Sequence, residues 1–239
     1  MRSWKLIALP AIVAMNLTFV SGARSQNTQA VDDRDKSCPD AAAERKELLA
    51  LWPTPKDGTT FTRPVLREDL LQMAAQDQVA RQLLVASMAD DHDLPQDSPA
   101  RTYTRAVDER NLTRLKHIVA QDGFPTIKMV GVEGVRSAFL LVAHAETDLG
   151  FQQSMLEVLI RRAREGEVKG GQVALLTDKI LRAQGKLQRY GTQFGDDLNP
   201  EPIDDAKHVD ERRRAMGMIS LANYSCEIRA VSATVRASQ

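Results

Sequence analysis

The chain has 239 residues, with 32 basic and 32 acidic side chains. That balance gives no electrostatic reason to expect nucleic acid or an anionic membrane as a partner. The length suits one domain with a real core after an N-terminal leader and is short for two.

The first 23 residues have the three parts of a secretory signal peptide: Arg2 and Lys5, an apolar run from Leu6 to Val20, and the small residues Ser21, Gly22 and Ala23. The run falls short of the roughly 20 residues that cross a bilayer, and Pro10 and Asn16 interrupt it. Cleavage is therefore expected near Gly22 or Ala23, and no cysteine stands there for lipid attachment. Loss of Arg2 and Lys5 takes the basic count from 32 to 30 against 32 acidic residues. No later segment is apolar enough to insert stably in a membrane, so a periplasmic or secreted protein is expected. In such an oxidising compartment Cys38 and Cys226 read as a disulfide, the alternative being two unrelated thiols.

Residues 24–40 are polar and aperiodic, which predicts a disordered leader. A short helix over 41–51 stops at Trp52-Pro53-Thr54-Pro55, and a long amphipathic helix follows over 66–88. Asp108 reads as the N-cap of the next helix, which ends at Gly123 with Pro125 beyond. Further helices are predicted over 135–145, 149–165 and 173–188. The Gly- and Pro-containing stretch after Gly191 reads as a hairpin or an ordered loop, and helices over 205–216 and 219–231 complete the chain around Gly217. With no repeat, no sustained heptad and no strand-helix alternation, the expected fold is all-α or mainly α: a single helical domain over 41–234, with at most a small β-hairpin near 191–203.

Several polar residues fall on faces that should turn inward. Asp77 and Arg81, four apart, interrupt the apolar arc of Leu66, Leu70, Met73, Ala80, Leu84 and Met88. Asp178 lies at the edge of an arc that also holds Thr177, Gln184 and Gln188, and Arg212 and Arg213 flank the inner face of helix 205–216. Arginines placed so suit bidentate capture of a carboxylate or phosphate. Asn111 shares a side with Leu115 and Ile118. His144 closes an apolar segment, and Asp148 follows four residues later. One continuous helix would pair them as a base and its orienting carboxylate or as two metal ligands, whereas a break would leave Asp148 as the N-cap of the next helix. Buried charges must be paired, so each set reads either as part of a ligand site or as a structural salt bridge. The glycosylation-type triplets at Asn111 and Asn223 read as coincidence, and no complete catalytic motif is present.

The order Asp77-Gln78-x-x-Arg81, Gly123-Phe124-Pro125-Thr126, His144 with Asp148, Thr177-Asp178, Tyr190-Gly191-Thr192-Gln193, Pro202-Ile203-Asp204-Asp205 and Val209-Asp210-x-Arg212-Arg213 resembles a bacterial family catalogued as domain of unknown function 6624. The likeness covers about residues 66–224. Two positions depart from the family pattern: Ala143 stands where Gln precedes the His, and Lys179 where Arg follows the Asp. An activity that used either side chain would be weakened or altered in this chain. The resemblance implies no function.

The leading expectation is a pocket lined by Asp77, Arg81, His144, Asp178, Gln188, Tyr190, Gln193, Arg212 and Arg213, for a small polar molecule or peptide end with an anionic group. In it His144, with Asp148 and Asp178, would carry any catalysis, and the arginines would hold the anion. The residues specify no cofactor and no metal set, nor do they fix an oligomeric state. The alternative is a non-enzymatic helical interaction domain whose buried polar network fixes helix packing.

Overall fold

The computed structural model describes residues 34–52, 55–90 and 94–237. The expected signal peptide lies outside them. The chain is mainly helical, and it divides into two compact units. A central unit is formed by Thr54–Leu176, and a terminal unit by the described residues of Met1–Pro53 together with those of Thr177–Gln239.

In chain order the helices are α1 (Pro39–Leu51), α2 (Pro64–Asp90), α3 (Pro99–Asp122), α4 (Ile127–His144), α5 (Leu149–Arg164), α6 (Gly170–Ala183), a 3-10 turn (Ala206–His208), α7 (Val209–Ala215) and α8 (Leu221–Ala237). None of the described helices is long and apolar enough to cross a membrane.

The central unit is built on α2, α3 and α4, which pack pairwise, with α5 against α4. The apolar spacing read from the sequence holds for α2, where Leu66, Leu70, Met73, Ala74, Ala80, Leu84 and Val85 are buried. Helix α3 starts at Pro99, so Asp108 lies inside it rather than at its N-cap. A proline at the first helical position, behind Ser98, makes the stronger start. Helix α4 is buried almost all round, from Val135 to His144. It begins earlier than the periodicity suggested because Thr126 caps a first turn that accepts a break at Gly131 (φ 73°, ψ 170°). The helix then restarts with the Val132 amide donating to Asp57 at 2.6 Å. A Cβ at Gly131 would lie 2.6 Å from Arg67 Nη1 and 2.7 Å from the Phe61 ring.

In the terminal unit, α1 packs on α8, and α7 packs on α8 and the 3-10 turn. The Cys38–Cys226 disulfide joins partners 188 residues apart. Around it Cys38, Ala41, Leu48 and Ile219 form an apolar cluster with Tyr224 and Ala230, and Arg45 pairs with Glu227. The expected leader therefore ends earlier than residue 40. Residues 34–37 are helical and Cys38 is 3 % exposed, because the disulfide ties this stretch to the core of the unit.

Helix α6 stops at Ala183, short of the expected 188, where Gly185 takes φ 70°. The segment after it holds two isolated bridges, Gln188 with Ile203 and Phe194 with Pro200, and no strand is formed among the described residues. It is an ordered loop, stitched by side chains rather than by a β-ladder.

Candidate functional site

The central unit collects ionisable side chains from three helices. Asp77 and Arg81 sit one turn apart on α2, Asp108 comes from α3, and His144 from the C-terminal end of α4. Asp77 is 1 % exposed and Arg81 5 %. Both Asp77 oxygens lie within hydrogen-bond reach of His144 Nδ1, at 2.8 and 2.9 Å. Arg81 Nη2 is 2.7 Å from Asp108 and 3.6 Å from Asp77.

A carboxylate can only accept, so His144 Nδ1 carries its proton toward Asp77. Arg81 Nε, 3.3 Å from the same nitrogen, then finds no lone pair there. When the ring is neutral its basic lone pair therefore lies on Nε2, and Asp77 fixes that tautomer.

Burial opposes the charge of Asp77, yet the charge and hydrogen bond of His144, with Arg81 and the Gln78 amide, hold its carboxyl below the ordinary value. Asp108 goes the other way. Burial pushes its carboxyl up to about 7, against the pull of Arg81 and with help from the charges of Asp77 and Glu146. Two carboxylates share one guanidinium, and Asp108, although the nearer of them to it, titrates close to neutral pH because burial and the charge of Asp77 outweigh that contact. Gln78 donates to Asp77 at 2.8 Å, and both Gln78 and Asn111 are buried.

Asp148 is not the partner of His144. Helix α4 ends at His144, and Asp148 caps α5 by accepting from the Phe151 amide at 2.8 Å while pairing with Lys116. The break between the two residues decided between the two readings open in the sequence. Gln152 closes the end of α4, donating to the carbonyls of Val142 and Ala143.

The terminal unit gathers the other flagged residues around the loop 188–205. Asp178 accepts the amides of Arg189, Tyr190 and Thr192 and the Thr192 hydroxyl, at 2.7 to 3.2 Å. The Gln188 side chain donates to the carbonyls of Gln193 and Glu201 and accepts the Gln193 amide. Gln188 thus does face inward, but from the loop and not from the helix. Gln193 donates to the Thr192 hydroxyl.

Arg212 donates to the carbonyls of Arg189, Asp204 and Asp205. Arg213, 0 % exposed, donates to those of Ile219 and Tyr190 and lies 4.7 Å from the Tyr224 ring centroid. Holding Asp205 this way fixes it at φ 47°, a left-handed conformation that an L residue adopts at a cost. Gly191 (φ 67°) packs where a Cβ would meet Leu221 at 2.8 Å. The Tyr190-Gly191-Thr192-Gln193 stretch is thus tied down by its own neighbours, which satisfy backbone groups that a loop this buried could not leave unpaired.

Residues 64–233 match the model of a family of unknown function, domain of unknown function 6624. The chain belongs to this family. No curated protein and no solved structure matches it. The matched span of domain 6624 takes in α2 through the start of the last turns of α8, and so includes both residue clusters but not α1.

Asp77, Arg81 and His144 are therefore brought together within the central unit. Asp178, Gln188, Tyr190, Gln193, Arg212 and Arg213 meet within the terminal unit, and Asp148 joins neither set. The sequence reading missed Asp108 as a member of the central cluster. Its signal was there: Thr104, Asp108, Asn111, Leu115 and Ile118 follow helical spacing once α3 is allowed to start at Pro99. Among the described residues no three His, Cys, Asp or Glu side chains converge as metal ligands do. The triplets at Asn111 and Asn223 have engaged or buried asparagines, Asn111 at 4 % exposure and Asn223 donating to Glu44.

Proposed function

We propose that the central unit carries an acid–base binding site for a small polar molecule with an anionic group, in a protein exported through its N-terminal leader. The observation that carries the reading is the concentration of Asp77, Arg81, Asp108 and His144 in one buried cluster, with a carboxyl that holds a proton near neutral pH. Groups perturbed in this way concentrate where chemistry or recognition needs them. In this reading His144 is the base, Asp77 sets its tautomer, and Arg81 takes the ligand anion as Asp108 gives up the guanidinium on protonation. Export is supported by the leader pattern of the first 23 residues and by the Cys38–Cys226 disulfide, which belongs in an oxidising compartment.

The competing reading, a helical interaction domain with a structural polar network, draws on the terminal unit, where the flagged side chains bond the chain's own backbone. Calorimetric titration of amino acids, short peptides and sugar acids into the mature protein separates the two. Binding that disappears in His144→Ala and Arg81→Gln, both still cooperatively folded, is the expected result. Absence of binding in the wild type, or variants that unfold without cooperativity, would assign the cluster to packing. Mass spectrometry of exported protein should find a new N-terminus between Phe19 and Arg24, and intact Met1 in a membrane fraction would contradict export.

A further inference from the structure

Arg81 meets its nearest anion in the most accessible member of the cluster. Its Nη2 lies 2.7 Å from Asp108 and 3.6 Å from Asp77, which is itself engaged with His144. The Asp77 side chain is 1 % exposed and that of Arg81 6 %, whereas that of Asp108 is 19 % exposed. A carboxylate of this chain thus already occupies the guanidinium that a ligand carboxylate would need. Exchange of one carboxylate for another calls for no large preformed cavity.

Charge decides how the two exchange. With Asp77 and Asp108 ionised, Arg81 charged and His144 neutral, the cluster carries an excess negative charge. A ligand carboxylate added to it would set three anions around one guanidinium, and buried charges must be paired. Once Asp108 takes a proton the count is even, and the ligand shares Arg81 with Asp77 alone. A neutral Asp108 also has an O–H to donate, so the group that competed with the ligand turns into one that can bond it.

The surroundings of Asp108 favour that proton. Burial acts first, and Arg81 of α2 opposes it. Asp77, also of α2, and Glu146, two residues past the end of α4, repel a second negative charge, while His144 of α4 directs its Nδ1 to Asp77. Together they carry the carboxyl from an ordinary 3.8 up to about 7.

We infer that Asp108 is the resident stand-in for the ligand anion at Arg81, so that the site takes up a carboxylate together with a proton and releases both as its surroundings turn alkaline. This rests on the ligand site proposed above and adds its control. A proton passes from water to an Asp108 oxygen, the contact of that carboxylate with Arg81 Nη2 breaks, and the ligand carboxylate makes the new one. Asp77 and His144 keep their bond. Because linkage is reciprocal, a proton that strengthens ligand binding is itself held more tightly once the ligand is bound.

The test is calorimetric titration of the whole mature protein with glycolate and gluconate, both fully ionised at pH 6 and at pH 8, in two buffers of unequal ionisation heat. Affinity should fall about tenfold from pH 6 to pH 8. Roughly one proton should be taken up per ligand at pH 8 and about a tenth of one at pH 6, as a group titrating at about 7 dictates. Asp108→Asn, whose amide cannot ionise, should bind at pH 8 as it does at pH 6 and without proton uptake.

Equal affinity at the two pH values with no proton uptake would overturn the inference while the ligand site stood. A linkage that persisted in Asp108→Asn would overturn it too, by assigning the proton to His144. A wild type that bound neither probe, nor any acid in the broader titration, would remove the site itself. Carbon NMR of the wild-type carboxyl groups follows the same proton at Asp108 directly, so the test stays decisive should Asp108→Asn fail to fold.

Discussion

Replacing Asp108 by Asn probes the balance within the central cluster directly. The carboxyl of Asp108 is 2.7 Å from Arg81, a distance that by itself would favour the charged form, yet burial and the charge of Asp77 hold it near 7. An acid whose folded value lies above its unfolded one adds stability that is complete below the unfolded value, 3.8, and is lost as pH rises through the folded value. The gap between 3.8 and about 7, at about 1.4 kcal/mol per pH unit, is on the order of 4 kcal/mol. The side chain is 19 % exposed, so solvent screening takes only part of this.

Asn mimics the protonated carboxyl and cannot ionise. Urea unfolding of the wild type and Asp108→Asn at pH 5, 6, 7 and 8 should therefore show curves that diverge with pH, the variant gaining about 3 kcal/mol on the wild type over that range. Parallel profiles, or a variant that loses ground as pH rises, would show that Asp108 is an ordinary ion-pair partner of Arg81. The assignment of a proton-bearing carboxyl to the site would then be wrong.

Asp77 acts with the opposite sign. Its carboxyl is held below the ordinary range, so its contribution is present above pH 4 or so and lost as pH falls through the folded value. Asp77→Asn should cost about 1–3 kcal/mol at neutral pH by weakening the hydrogen bond to His144 and removing one of the two carboxylates that face Arg81, and its acid-unfolding curve should be flatter than the wild type's below pH 4. Asp178→Ala removes the acceptor of three backbone amides and a hydroxyl. Hydrogen exchange should then show loss of protection at Arg189, Tyr190 and Thr192, and unchanged protection would contradict the role of Asp178 as the loop's anchor. Gly131→Ala should lower the thermal midpoint by an amount corresponding to about 2–3 kcal/mol, since the new methyl meets Arg67 and Phe61 in a backbone conformation that disfavours it. Reduction of Cys38–Cys226 should destabilise by about 5 kcal/mol in the chain-entropy account of so long a loop, and free thiols in the denatured, unreduced protein would refute the bridge.

The helical class, the arc of α2 and the inward turn of Asp77 and Arg81 were written in the sequence, because amphipathic periodicity is a local property and a charged pair four apart on an apolar face must find partners inside. An even pair of cysteines in a chain expected to be exported likewise pointed to a disulfide. What the sequence left open were relations between segments. The pairing the sequence offered His144 was with Asp148, and only the end of α4 at His144 and the packing of α2 against α4 gave it to Asp77 instead. Asp108 has a side chain as fit to cap a helix as to sit within one, and the tertiary contact with Arg81 showed which it does. Gln188, Arg212 and Arg213 could be recognised as polar groups facing inward, but a buried loop that needs its amides and carbonyls paired became visible only when residues far apart in the chain were placed around it. Pattern along a helix fixes which face is buried. The identity of the group it is buried against depends on contacts between elements, which no local periodicity encodes.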